Sequence, residues 1–385
     1  MSSSPRTRRS ENLSVDSYPP SKLIKTEPNL AAVVNSSIDG DVSQNEDQAF
    51  VKTQSKAFPF ETAYIKHNLV RQVFESLFPT TTLSASWDDV RFIWKDTNTR
   101  FDQYSRIERV NGLFNHFENN SILTTKSGLL KTLTSINALG VMPFTVFFYP
   151  PQRLREVEDF VYNLREGQYI TKPPAGCKGS GIKIFQTRRD LCSFLTRFNR
   201  NSGLIVQSYI KRPKLYNGRK FDMRVLVLVD QNFNVHIYRK IYARVCSQDY
   251  CSSTAESQIT NIQLAATRVP LQTIATVLKL TEDRDFFGPI SSMVMRIFTD
   301  PFVLEKFSDR RRNCFFELFG CDFIMDDSNE IYLLEINQNP AISEDTDEVS
   351  VDIFHNMVKE LLQIVLPVER TLNHFQRLGP RNGRR

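Results

Sequence analysis

Apolar and polar residues alternate along this chain in short blocks, and the period changes from block to block. VRFIWKD at 90–96 has the composition of a strand, and SGLLKTLTSINALG at 127–140 carries apolar residues at helical spacing before a closing Gly. MPFTVFFYP at 142–150 is a β-rich run bounded by Pro, and RLREVEDFVYNLREG predicts an amphipathic helix ending at Gly167. QYITKP, GIKIFQ and LIVQSYI then read as strands, with the helix RRDLCSFLTRF between the last two. FDMRVLVLVD and NVHIYRKIYARV predict two further strands around a polar turn, and a mainly helical stretch runs from about 265 to 319. CDFIM, the turn DDSN and EIYLLEIN predict a hairpin, followed by the helix VDIFHNMVKELLQIV. Strands and helices mixed in this order predict an α+β architecture of several small lobes.

The two ends differ from the middle. Residues 1–55 hold eleven Ser and two aromatics with no sustained apolar period, which predicts a disordered leader. Residues 370–385 carry five Arg and no acid, a basic tail. Over all 385 residues, 41% are hydrophobic, enough for two or three cores, so neither a small stapled scaffold nor a wholly disordered chain fits.

The net charge of +6 decides little until it is placed. Residues 172–224 hold 13 Lys and Arg against 2 acids, whereas residues 300–352 hold 4 against 14. One stretch suits anions and the other suits cations. Six cysteines, at 177, 192, 246, 251, 314 and 321, form no CxxC pair, and MSSSPRTRRS lacks the apolar core of a secretory signal. Reduced thiols in an intracellular protein are the expectation. The run VLVLV at 225–229 falls far short of the roughly 18 residues that cross a bilayer.

Four places could carry chemistry. TKPPAGCKGSGIKIF, 171–185, sets Lys172 at a strand end before Gly176, Gly179 and Gly181, a flap whose amides could cover phosphates; a glycine-rich hairpin without ligand is the alternative. In FDMRVLVLV, Arg224 sits inside an apolar strand beside Asp222, so it must be paired or point into a site, and Arg244 in YARV resembles it. A turn centred on Asn232-Phe233 puts both arginines on one sheet face, where they suit carboxylate or phosphate. With a turn at Asp326–Asn329, Asp322 stands opposite Leu333, and strand alternation places Asp322, Glu335 and Asn337 on one face. Hard oxygen donors among apolar neighbours fit Mg²⁺, or else a hydrogen-bonded core cluster or an ion pair. Thr260 and Asn261 of QITN could bond a ribose or close a turn.

Other chemistries lack their residues. The histidines at 67, 116, 236, 355 and 374 form no HExxH, and there is no GxSxG elbow or kinase-type HRD with DFG. Aromatics are not interleaved with the basic residues, which argues against nucleic acid.

Together these features form the layout of an ATP-grasp ligase, and more narrowly the sequence resembles the tubulin–tyrosine-ligase-like family. FNHFENNSILTTKSGLLKTL, MPFTVFFYP, YITKPPAGCKGSGIKIF, IVQSYI, NGRKFDMRVLVLV, QITN and FELFGCDFIMDDSNEIYLLEINQNPAI carry the likeness across most of residues 87–342. The resemblance implies an N-terminal lobe at 56–140, a central ATP-grasp lobe at 141–210 and a C-terminal ATP-grasp lobe with the metal hairpin at 211–366; the leader and a basic tail at 367–385 lie outside it. It implies that Lys126 and Lys172 contact nucleotide phosphate or hold the active-site lobe, that the Gly176–Ile182 flap covers the triphosphate, and that Gln207, Ser208, Tyr209 and Ile210 form an adenine hinge. It assigns Lys220, Arg224 and Arg244 to phosphate, the incoming amino acid or an acyl phosphate, and Asp322, Glu335 and Asn337 to Mg²⁺.

The chain departs from the family pattern at Gln258-Ile259, where His-Leu is usual, and at Lys214-Leu215-Tyr216, where Pro-Leu-Leu is usual. The implied reaction is ATP-dependent addition of an amino acid, glutamate favoured, to tubulin or microtubules through acidic tails. Tyrosine or glycine ligation, or a catalytically silent microtubule-binding relative, are the alternatives. Accessory subunits and a cytoplasmic, cytoskeletal setting at microtubules, cilium or basal body belong to the same expectation, with no nucleic-acid or membrane partner.

Overall fold

Short apolar strands pair into three sheets. The computed structural model describes residues 62–86, 90–96, 101–109, 111–150, 153–174, 180–198, 202–251, 267–307, 313–342, 348–366 and 368–379. The expected leader, residues 1–55, lies outside them. The first sheet is parallel, in the order β2-β1-β3-β4, from β1 (Thr62–Ile65), β2 (Thr82–Leu83), β3 (Phe92–Trp94) and β4 (Leu113–Phe114). Strands this short show no alternation, so of the four only β3 stands out in the sequence. Helix α1 (Asn68–Leu77) buries Leu69, Val70, Val73 and Phe74 on one face.

Helices α2 (Phe101–Arg109), α3 (Ser121–Thr124) and α4 (Lys126–Ser135) follow. Helix α4 starts at Lys126 because the Thr125 hydroxyl accepts from the Gly128 amide at 3.0 Å. The second sheet is antiparallel, in the order β5-β8-β6-β7, from β5 (Thr145–Phe148), β6 (Tyr169–Lys172), β7 (Lys183–Phe185) and β8 (Leu204–Ser208). Helices α5 (Leu154–Tyr162) and α6 (Arg188–Leu195) share a core with it through Val157, Val161, Leu191 and Leu195.

The third sheet has eight strands around β10 (Arg219–Val229), whose residues from Lys220 onward are all buried. One edge of β10 pairs with β14 (Glu317–Met325), and β15 (Ile331–Gln338) pairs outside that. The other edge is shared by β11 (Val235–Tyr238), opposite residues 227–229, and β12 (Tyr242–Val245), opposite residues 221–224. NVHIYRKIYARV is therefore two strands rather than the single one expected. The chain leaves the ladder between them, where the Ile241 amide bonds the Arg239 carbonyl, and the register shifts by two residues. The arginine parity survives, because a two-residue shift keeps each side chain on its face.

Strands β9 (Leu215–Tyr216), β13 (Thr267–Pro270) and β16 (Phe375–Leu378) complete the sheet. Strand β16, inside the stretch read as a basic tail, pairs with β11. The fully buried Glu360 carboxylate anchors it by accepting from the His374 and Phe375 amides and from Arg370. The helical stretch expected from about 265 contains α7 (Leu271–Leu278), α8 (Gly288–Phe298) and α9 (Pro301–Phe307), and α10 (Asn356–Val365) packs against α1.

A buried polar clamp joins the first sheet to the third. Glu317, fully buried, accepts from the Phe117 amide at 3.0 Å and the Asn120 amide group at 2.6 Å, and faces His116 Nδ1 at 3.1 Å. His116 Nε2 faces the Lys95 carbonyl at 2.9 Å. Both imidazole nitrogens thus lie within hydrogen-bond distance of an oxygen. The clamp fixes the segment that leads into α3 and α4 against the large sheet. Among the described residues no helix is long and apolar enough to cross a membrane.

Candidate active site

A row of charges crosses the third sheet on one face. Arg224 on β10 stands opposite Asp322 on β14, which stands opposite Glu335 on β15, while Asp222 stands opposite Arg244 on β12. Arg224 grips Asp322 with two nitrogens, at 2.5 and 3.1 Å, and Arg244 grips Asp222 the same way, at 2.7 and 2.6 Å. Arg244 also reaches Asp322 at 3.0 Å, so both arginines pair with Asp322. The two arginines share a face, and both are already paired.

Asp322 does not stand opposite Leu333 as the sequence suggested. The turn is five residues long, Asp326 to Glu330, because the Asp326 carboxylate accepts from the Ser328 and Glu330 amides. That extra residue alone would have sent Glu335 to the other face. A bulge between Asp322 and Phe323 in the pairing restores the parity, so Phe323 faces Leu333 and Asp322 faces Glu335. Asn337 then lies within reach of both carboxylates, its amide group donating to Asp322 at 3.1 Å and to Glu335 at 3.3 Å.

Cations from other elements surround this row. Lys126, at the start of α4, meets Glu335 at 3.0 Å, and its amide bonds the Pro174 carbonyl at the base of the glycine-rich segment. Lys172 on β6 donates to the Gln207 side chain at 2.8 Å, and Gln207 donates to Thr145 at 2.8 Å. Lys220 donates to the Tyr209 hydroxyl at 3.3 Å and sits 4.8 Å from its ring centre. Gly181 has φ +72°, and a Cβ there would lie 2.8 Å from the Pro173 ring, so glycine is required. Ile182 follows it, half-buried, before β7. Gly176, Gly179, Thr260 and Asn261 lie outside the described residues.

In the segment expected to form a hinge, the Ser208 and Tyr209 amides are already committed to the Phe144 and Gln168 carbonyls, at 2.8 and 2.9 Å. A cavity of about 390 Å³ borders this segment, lined by Ser208, Tyr209 and Ile210 with Phe144, Arg165 and Tyr332. Neither Lys172 nor Gln207 lines it. The sequence reading missed the bond from Lys126 to Glu335 and the Gln207 contact to Lys172. It also gave Asp222 no task, although an acid two residues before a strand arginine was the available signal.

Burial works to raise the Asp322 carboxyl, but Arg224 and Arg244 outweigh it and hold it below the usual carboxylate range. Burial lowers the Lys172 and Lys220 ammonium groups to about 8, against a weaker upward pull from nearby acids. Each lysine therefore loses its proton in the folded chain between pH 8 and its ordinary value, where the unfolded chain keeps one. Stability rises over that window. An anion held by the charged lysines weakens over the same window. Nucleotide affinity measured by calorimetry from pH 7 to pH 9.5 is expected to fall once pH passes 8, and a flat profile would refute these cations as phosphate contacts.

The donor set fits Mg²⁺ in its chemistry. Two carboxylates and a carboxamide meet on one face, Glu335 is about one-third exposed, and Asp322 Oδ1 accepts from Arg224 Nε alone among the described residues. Gly320, opposite Asn337, keeps this face open, since a Cβ there would lie 2.8 Å from Pro340 Cβ and 3.0 Å from Arg224 Nη1. Gly320→Ala is expected to push Arg224 off Asp322 and lower kcat about 100-fold, as ångström-scale misplacement does. Steady-state kinetics beside a thermal melt would check it.

The site is thus an acid-and-arginine row on the large sheet, approached by Lys126 from a helix and by Lys172 from the smaller antiparallel sheet. The profile of the tubulin-tyrosine ligase family matches residues 105–374, and the chain belongs to that family. It is 25% identical over 356 residues to the protein polyglycylase TTLL10 of Rattus norvegicus, covering 79% of this chain and 52% of the relative. To the inactive polyglycylase TTLL10 of Homo sapiens it is 26% identical over 371 residues, covering 76% and 55%. To the probable tubulin polyglutamylase ttll-9 of Caenorhabditis elegans it is 24% identical over 318 residues, covering 74% and 75%. The chain spans about half the length of the first two.

Proposed function

We propose that the chain is an ATP- and Mg²⁺-dependent ligase that joins an amino acid to a carboxylate of a tubulin tail, with glutamate the favoured donor. The observation that carries this reading is the charge row Arg244-Asp222-Arg224-Asp322-Glu335, faced by Lys126 and Lys172. Such a site offers cations and metal-ligating oxygens and presents no side-chain nucleophile in the row, which suits phosphoryl transfer to a carboxylate followed by amine attack. Asp322, Glu335 and Asn337 would hold Mg²⁺, which supplies charge neutralisation on phosphoryl oxygens when bound.

Lys172 and Lys220 would bind phosphate, while Arg224 and Arg244 would bind the acyl phosphate and the carboxylate of the incoming amino acid. The acceptor carboxylate takes the γ-phosphoryl group of ATP; the donor amine then attacks the acyl carbon and inorganic phosphate leaves. Both steps gather negative charge, so fixed cations stabilise them more than the ground state.

Glycine is the second donor reading, supported by relatives that are named polyglycylases or a tubulin glycylase. Purified chain incubated with tubulin, MgATP and labelled glutamate, glycine or tyrosine is expected to incorporate one of the three. No incorporation with any of them would overturn the reading, and the one incorporated identifies the donor.

A further inference from the structure

Arg224 and Arg244 are not held alike. Arg244 has two carboxylate partners, Asp222 at 2.6 Å and Asp322 at 3.0 Å. Among the described residues, Arg224 has Asp322 alone within ion-pair distance. Its side chain is only 8% exposed. Asp322 is also one of the three residues assigned to the metal, and Glu335, the second, is neutralised by Lys126 at 3.0 Å.

From this asymmetry we infer that the site binds its substrates in order through an exchange of counter-ions: a cation on Asp322 and Glu335 releases Arg224, which then takes the carboxylate of the amino acid. The inference rests on the ligase reading above. Asp222 keeps Arg244 in place throughout, so one arginine is a fixed wall and the other a receptor that opens only when the metal is bound. A buried guanidinium stripped of its anion is costly, and an incoming carboxylate relieves that cost. The donor-acid site is therefore coupled to the metal site, and the coupling is reciprocal.

Calorimetry on the full chain, with L-glutamate, glycine and L-tyrosine in turn, tests this without turnover. With a non-hydrolysable ATP analogue present throughout, Mg²⁺ is expected to tighten binding of the donor about 5- to 150-fold over the same titration in EDTA. The amino acid is expected to tighten Mg²⁺ by the same factor. Asp322→Asn releases Arg224 permanently, so its metal-free affinity for the amino acid is expected to rise towards that of the metal-loaded wild type.

Glu335→Gln removes the same charge without releasing Arg224 and is expected to leave the metal-free affinity near wild type, which separates exchange from general electrostatics. Equal affinity with and without Mg²⁺, an equal rise in both variants, or no binding of any of the three amino acids overturns the exchange while leaving nucleotide binding intact. Failure of the chain to bind the nucleotide analogue at all overturns the ligase reading and the exchange together.

Discussion

Glu335→Gln is expected to lower amino-acid incorporation by about 100- to 1,000-fold, the range seen when one group stabilising transition-state charge is removed. Its effect on folding should be small. Glu335 is about one-third exposed, and its partner Lys126 is 16% exposed, so water can solvate both when the pair is broken. The expected signature is therefore a normal melting temperature without nucleotide, and a lost or much reduced upward shift when MgATP is added. A variant that retains the full shift would remove Glu335 from the metal set.

The opposite signature is expected at Glu317. Removing this carboxylate takes away the oxygen facing His116 Nδ1 and the acceptor of the Phe117 amide in a fully buried place, while the Asn120 amide group keeps the Gln338 side-chain oxygen. Each buried group left without its hydrogen-bond partner costs about 1–3 kcal/mol. Glu317→Ala is therefore expected to lower the melting temperature by about 3–9 °C. Gln at this position retains one acceptor oxygen and should lose less. Because Glu317 fixes the segment leading to Lys126, the destabilised variant should also lose activity, but in proportion to the unfolded fraction. Thermal melts of both variants beside Glu335→Gln separate a structural clamp from a chemical site, and an unchanged melt in Glu317→Ala would refute the clamp.

How far each part was legible follows from the length and burial of its elements. Strand β10 stood out because eleven residues with Val and Leu in succession imply burial on both faces, and the structure buries nearly all of them. Helix α6 was readable from its residue pattern, and in the structure the Thr187 hydroxyl caps it by accepting from the Asp190 amide at 3.1 Å. The parallel first sheet was not readable, since strands of two to four residues carry no period and pair only because α1 and α10 cover them. Strand β16 was hidden in a basic segment, because its partner β11 and its anchor Glu360 are remote in sequence.

The site followed the same rule. Residue types alone marked Arg224, Arg244, Asp322, Glu335 and Asn337, since charges inside apolar strands have few uses other than pairing or binding. Their order along the chain also carried the family resemblance that the profile match bears out. What only the folded chain decided was who holds whom. A five-residue turn and a bulge, each able to reverse a strand's facing, cancel at Glu335. Lys126 and Lys172 reach the row from a helix and a strand that lie far earlier in the chain than Asp322 and Glu335, and no local pattern encodes such a meeting. Sequence determines which charges must be compensated, because burial makes that demand everywhere; register and long-range packing determine which partner answers it.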